Sequence, residues 1–381
     1  MYESLIGPYA YPKFGLVENF WETGYGMPSF TLLGSRVLRL PFILHTSYPH
    51  EILHNWWGNG VFVDYASGNW SEGLTAYLAD HLLKEQQGQG ISYRRSALQR
   101  FSDFVRSEND FPLTEFHSRH TTASQSVGYD KSLMLFHMLR RQLGDEAFIG
   151  GLRRFYRDNL FKQAGFRDLQ QAFESVSGSD LRGFFRQWTQ RTGAPRLAVE
   201  GLNTTSLEQG YRIEGVLLQS QDAAPFVLDV PLVVYLEEGH RPVTTRLAMR
   251  TKRQPFSLEL PARPIRLDID PWFDLFRDLQ PTEAPPTLGK LFGAERVIFV
   301  LPEKAPAALL AGYRRLADAW SQGYTDASIV MDGDLDDLPQ QASVWLLGWQ
   351  NRHLKRAVES LDGSRFAQQQ QTFQLAGEAY D

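Results

Sequence analysis

Apolar and polar residues alternate along this chain with three different rhythms. Up to about residue 45 the apolar positions come in short runs, Phe30-Thr31-Leu32-Leu33 and Val37-Leu38-Arg39-Leu40, set among aromatic, Gly and Pro residues. That texture reads as strands and turns. From about 48 to 191 the rhythm is helical. One helix is expected over Pro49–Trp57 and another from Glu72 towards Leu83, with more near Ser96–Val105, Tyr129–Leu143, Asp145–Tyr156, Arg167–Val176 and Ser179–Gln190. In the Tyr129 helix, Phe136, Leu139 and Leu143 fall at helical spacing and mark a core face. After Gly193-Ala194-Pro195 the rhythm shifts to short alternating blocks: Leu197-Ala198-Val199, Tyr211-Arg212-Ile213, Val227–Val230, Leu232–Tyr235 and Leu267-Asp268-Ile269. Gly and Pro separate them, as in a small antiparallel sheet domain. Beyond the Pro-rich segment Pro281–Pro286, strand-like Val297–Leu301, helix-like Ala305–Trp320 and strand-like Ser328–Met331 and Ser343–Leu347 follow one another, the signature of an α/β unit.

The expected architecture is therefore multidomain. A mainly helical α+β domain occupies 1–195 (strand-rich edge 1–45, helical part 46–195). A small antiparallel β-sandwich spans 196–280, and a linker with a small α/β domain spans 281–381. A length of 381 residues suits two or three domains. The run Gln368–Gln371 reads as a solvated helix face.

Composition changes this picture only by exclusion. Hydrophobic residues at 43% and charged residues at 22% are ordinary for a soluble globular chain. A net charge of -5 gives no reason to expect nucleic acid or an anionic membrane as partner. The absence of cysteine removes thiolate catalysis, disulfides and cysteine metal sites, and leaves the compartment open between cytosol and periplasm. No run approaches the ~18 apolar residues of a membrane span, and Met1-Tyr2-Glu3-Ser4 lacks a signal-peptide pattern.

The segment that carries chemistry is His50-Glu51-Ile52-Leu53-His54. Residues four apart share a helix face, so both imidazoles can reach one ion, with Glu51 beside the same opening to hold a water. Imidazole suits zinc, and a catalytic zinc takes three protein ligands and keeps one position open. Glu72, in Trp70-Ser71-Glu72-Gly73, follows 18 positions after His54 as candidate third ligand, on a helix that Asn69 or Ser71 could cap. The competing reading is a helix with two partly buried histidines. His117 and His120 lie in a polar segment with no third ligand nearby, and His45 lies off the helical face. The acidic run from Asp332 lacks the Gly and Glu of a calcium loop at its sixth and twelfth positions.

These motifs, in this order, resemble the gluzincin zinc metallopeptidases of the aminopeptidase N type. The resemblance covers roughly Tyr11 to Pro195. It rests on Gly15-Leu16-Val17-Glu18-Asn19, His50–Asn59, Trp70–Gly73, Tyr129-Asp130-Lys131 and Trp188–Gly193. It implies a thermolysin-like catalytic fold, one zinc per chain held by His50, His54 and Glu72, and Glu51 as general base. It further implies Tyr129 as hydrogen-bond donor to the oxyanion, and peptides with a free N-terminus as substrates. Glu18 would grip the α-amino group, with Gly15 and Asn19 shaping the edge along which the substrate backbone lies.

The chain departs from the family pattern in two places. One residue fewer separates Trp70 from Glu72, and the family's supporting Glu seven residues after the third ligand is replaced by Ala79, with the neighbouring Asp80 as the candidate substitute to accept a histidine's other N–H. The family's N-terminal β domain is not evident before Gly15, so a fragment of a longer protein is expected. Within the same resemblance, an endopeptidase or an inactive scaffold are the alternatives. Blocking the substrate amine separates the first, and metal content the second.

Overall fold

The computed structural model describes residues 1–280, 283, 287–294, 296–324, 326–339, 342–359, 366–369, 372–375 and 378–380. Most of the expected linker Pro281–Pro286 lies outside the described residues. The chain divides into two compact units, 1–285 and 286–381.

In the first unit, strands β1 (Gly15–Asn19), β2 (Gly24–Met27) and β3 (Phe30–Gly34) form a small sheet of order β1-β3-β2. β1 runs parallel to β3, and β2 antiparallel to it, leaving β2 on an edge. The sheet ends at Gly34, and Ser35–Leu38 is helical where a strand was expected over Val37–Leu40. A local cause is visible: Glu22 Oε2 accepts hydrogen bonds from the Arg36 and Val37 backbone N–H groups, satisfying donors that a helix start leaves free.

Helices build the rest of this region. The metal-motif helix runs over Ser47–Leu53 and stops earlier than the expected Trp57. Asn55 ends it, because its side-chain N–H bonds the Ile52 carbonyl, a local bond that competes with helix continuation. Two long helices each contain a π-helical turn. One is Ser71–Thr75, π turn Ala76–His81, then Leu82–Gln86. The other is Thr122–Gln125, π turn Ser126–Lys131, then Ser132–Leu143. Helices Gly90–Phe104, Asp145–Asn159, Phe166–Ser177 and Arg182–Gln190 surround them. Their spacing of apolar positions puts Leu98, Phe101, Leu152, Phe155, Phe173 and Trp188 into one core.

From Leu197 two three-stranded antiparallel sheets follow. One joins Leu197–Ser206, Tyr211–Gln219 and Arg253–Leu260; the other joins Leu228–Leu236, Val243–Met249 and Pro264–Ile269. The two apolar blocks around Pro231 are one strand. Pro231 sits one residue beyond the last pair with Pro264–Ile269, where a strand tolerates the missing N–H. Ile213, Val234, Leu236 and Leu260 pack between the sheets. Leu217, Phe226, Val230 and Phe276 belong instead to the same core as the helices, so the strands from Leu197 onward and the helical region share apolar packing.

The second unit has a parallel sheet with Arg296–Leu301 in the centre, flanked by Asp326–Met331 and Ser343–Leu346. Helix Ala307–Ser321 makes the crossover and buries Ala317 against Val297, Phe299 and Leu301. Gln368 and Gln369 lie in strand Phe366–Gln369, which replaces the expected helix face; Gln370 and Gln371 lie outside the described residues. Among the described residues, no helix is long and apolar enough to cross a membrane.

A candidate metal centre

Three aromatic residues set the floor of the site. Trp57 and Trp70, both fully buried, pack edge-on with ring centroids 6.1 Å apart, and Phe155 closes on both. The Trp70 indole N–H donates to the Ala164 carbonyl at 2.6 Å, so the ring's one polar atom is satisfied. This floor holds the start of the Glu72 helix against the end of the His50 helix. At that start, Asn69 Oδ1 accepts from both the Ser71 backbone N–H and the Ser71 hydroxyl, taking up a donor that the helix cannot.

On this scaffold His50, His54 and Glu72 converge. Their ligand-type atoms all lie within 4.8 Å of one another, the one such group among the described residues. Glu72 Oε2 is 3.5 Å from His50 Nε2 and 3.4 Å from His54 Nε2. The other ring nitrogens are occupied: His50 Nδ1 lies 2.9 Å from Asp80 Oδ2, and His54 Nδ1 lies 3.0 Å from the Trp57 carbonyl oxygen. A carbonyl only accepts, so His54 carries its proton on Nδ1 and directs Nε2 towards Glu72. Burial pushes both imidazoles towards the neutral form. The carboxylates Asp80 and Glu72 outweigh it at His50, which is held well above the usual histidine range, and Glu72 does so at His54, which is raised too. Burial likewise opposes ionisation of Glu72, yet the two imidazoles hold it well below the carboxylate range. Two nitrogens and a carboxylate oxygen this close require positive charge among them. Protons can supply it, and so can one divalent ion; the donor set is that of a zinc site.

Asp80 owes its place to the π turn. An i→i+5 turn takes up one extra residue, so the eighth residue after Glu72, rather than the seventh, returns to its helix face. Ala79, the seventh, is fully buried in the core.

Around the triad opens a cavity of about 820 Å³ whose lining includes Glu51, Tyr129, Glu22, Gly24, Gly26 and Arg119. Glu51 is nearly buried, and its carboxyl is raised above the ordinary range, chiefly by burial, with His54 and His50 opposing. The Tyr129 ring stacks on His50 at 13° with centroids 6.3 Å apart. Burial, then the charge of Glu72, pushes its hydroxyl above the usual tyrosine range, so it stays protonated and able to donate. Lys131 is buried and donates to the Arg191 carbonyl at 2.6 Å, which ties the turn bearing Tyr129 to the segment after Trp188.

The strand bordering the cavity is β2. A Cβ on Gly24 would sit 2.5 Å from Glu51 Oε1, and one on Gly26 would sit 2.5 Å from His54 Cβ. Two asparagines just past the metal motif pin this hairpin: Asn55 Oδ1 accepts from the Ser29 N–H, and Asn59 donates to the Gly26 carbonyl. Gly15, Glu18 and Asn19 are not part of the lining. The sheet order explains why, since β3 separates their strand, β1, from β2. The Glu18 carboxylate instead meets Arg39 at 2.7 Å, with both side chains substantially exposed. Sequence reasoning passed over Glu22, Gly24, Gly26 and Arg119; the alternating glycines of Gly24-Tyr25-Gly26 before Pro28 were the available signal for a close backbone approach.

Residues 45–188 match the model of the peptidase family M1 domain. The alanine/arginine aminopeptidase of Saccharomyces cerevisiae is 24% identical over 271 residues, covering 66% of this chain and 31% of that protein. Aminopeptidase N of Lactococcus lactis subsp. lactis is 28% identical over 166 residues, 41% of this chain and 19% of that one. Among solved structures, Legionella pneumophila aminopeptidase A in complex with aspartic acid aligns with a TM-score of 0.54 and 18% identity. It covers 76% of this chain and 34% of that one, a likeness of fold. The chain thus spans about a third or less of the length of these relatives.

Proposed function

Residues 45–188 of this chain belong to peptidase family M1, the gluzincins of the aminopeptidase N type, and from that premise we propose that the chain is the catalytic part of a zinc-dependent aminopeptidase hydrolysing the N-terminal peptide bond of peptides. One observation carries the reading: His50, His54 and Glu72 meet at the wall of a cavity that Glu51 and Tyr129 also line.

In this reading His50, His54 and Glu72 hold one zinc. When bound, the ion supplies Lewis acidity at the scissile carbonyl and lowers the pKa of an attacking water. Glu51 takes that water's proton and later passes it to the leaving amine. Tyr129 donates to the oxyanion, where negative charge develops only in the transition state. Asp80 acts through His50, fixing the ring so that Nε2 faces the site. An aminopeptidase also needs an anion for the substrate ammonium. Glu22 lines the cavity and Glu18 does not, so Glu22 takes that role here. β2, glycine-rich and on the sheet edge, is open to pairing with an extended peptide. The thermolysin-like and β-sandwich assignments, and the division into 1–195, 196–280 and 281–381, belong to this same reading.

The test is zinc content after exhaustive dialysis, with Glu72→Ala alongside, followed by peptides with free and acetylated N-termini. About one zinc per chain, lost in the variant, and cleavage confined to free amines are expected. Equal cleavage of blocked peptides would replace the aminopeptidase by an endopeptidase, and a chain that binds no zinc would leave only a scaffold.

A further inference from the structure

The cavity is strongly acidic, with Glu22, Glu51, Glu72, Asp80 and Asp130 in its lining. His50 and His54 answer Glu72 and Asp80, and among the described residues two arginines also line the cavity. Arg100 is committed, since its guanidinium meets both oxygens of Asp130 at 3.0 and 2.6 Å. Arg119 is different. It has no carboxylate partner among the described residues, its side chain is exposed to the cavity, and its guanidinium lies 5.8 Å from the centroid of the Tyr129 ring. That ring in turn stacks on His50.

We propose that Arg119 is a specificity-determining residue that binds a carboxylate of the substrate. The inference rests on the peptidase reading of the same cavity. A guanidinium presents a planar fork of donors that matches a carboxylate bidentately. An exposed guanidinium with no carboxylate in direct contact among the described residues keeps its donors free for one on a substrate. Position supports this. With Tyr129 at the oxyanion, Arg119 stands one side chain further out, and a peptide extends by about 3.3–3.6 Å per residue. A carboxylate one or two residues from the scissile bond therefore falls within its range. Two sources share that chemistry: the free C-terminus of a di- or tripeptide, and an acidic side chain near the scissile bond. The neighbouring ring also holds the guanidinium in place by a cation–π contact, which limits the ordering cost on binding.

The experiment compares peptides with a free C-terminal carboxylate, their C-terminal amides, and amides carrying one Asp or Glu beside the scissile bond. Wild type, Arg119→Ala and Arg119→Lys are each assayed for kcat and KM. A hydrogen bond to a charged group predicts a carboxylate-over-amide preference of about 10- to 100-fold in kcat/KM, expressed mainly in KM. Arg119→Ala should bring that ratio close to one, and Arg119→Lys should restore part of it. Preference for the free C-terminus or for the acidic side chain identifies the source. A ratio near one in wild type, or a ratio unchanged in Arg119→Ala, overturns the proposal. Binding of the same peptides to zinc-loaded Glu51→Gln, measured by calorimetry, gives the ratio again without turnover. Absence of catalysis in wild type would then count against the peptidase reading, while the binding ratio still decides Arg119.

Discussion

Asp80 Oδ2 lies 2.9 Å from His50 Nδ1, across the gap between two helices. The contact orients the imidazole and makes it a better donor, and partners of this kind are commonly worth 10- to 100-fold in metal affinity. Asp80→Ala should weaken zinc binding by about that factor. Competition with a chelator of known affinity measures it, and an unchanged affinity would show that the contact is incidental.

Glu51 and Tyr129 should fail differently from the ligands. Glu51→Gln is expected to keep its zinc and lose about 10²- to 10⁴-fold in kcat. Tyr129→Phe should lose about 10²- to 10³-fold in kcat with KM little altered. Steady-state kinetics beside metal analysis separates these from Glu72→Ala, in which the zinc itself should go. Full activity in Glu51→Gln would remove the base assignment.

Gly26 allows β2 to approach the metal helix, because a methyl group there would press on His54 Cβ at 2.5 Å and the Glu51 carbonyl at 3.1 Å. Neither neighbour is the free end of a flexible chain. Gly26→Ala should therefore cost about 1–3 kcal/mol, as overpacking does, read from the urea midpoint at constant m-value. A shift within error would mean that the hairpin yields.

Acid should destabilise the fold through His137, which packs beside Tyr77 and meets Asp274 at 2.9 Å. Burial, the largest cause, lowers its pKa to about 4, with Arg94 adding and the bond to Asp274 opposing. An unfolded imidazole titrates near 6.5. Between those values the unfolded chain holds more protons, so stability is complete above 6.5 and falls as pH drops. The loss at about pH 5 should be of order 2 kcal/mol for this group. His137→Asn should flatten that part of the urea-midpoint profile between about pH 7.5 and 5. An identical slope in the variant would assign the acid sensitivity elsewhere.

The contrast between His50–His54 and Glu18 shows where a sequence is informative. The two histidines are placed by helix periodicity, a local rule that four residues express, and Glu72 by the start of the next helix. Glu18 depends on strand order. In a sheet ordered β1-β3-β2, the strand beside the metal helix is not the one that first catches the eye, and nothing local encodes the swap. Asp80 lay one residue from the position the family pattern calls for, an offset that only the π turn resolves. In Val243–Met249 the alternation is blurred by Thr245 at an inward position and Ala248 at an outward one, whereas Phe256-Ser257-Leu258-Glu259-Leu260 alternates strictly and is legible as a strand; pairing in register puts Met249, Phe256 and Leu260 inside. Arg119 and Glu22 are single charges in irregular segments; their meaning comes from the company they keep in the folded chain.

His50 and His54 ride on one helix, and Glu72 and Asp80 on another. In the proposed reading the whole ligand set, with the partner that steers His50, therefore rests on two pieces with a single relative placement. Sliding one helix against the other withdraws the third ligand and releases the imidazole in the same motion. If His50, His54 and Glu72 hold zinc as proposed, such a centre has no gradual way to loosen, and whatever holds those two helices together would govern metal retention and catalytic competence as one quantity.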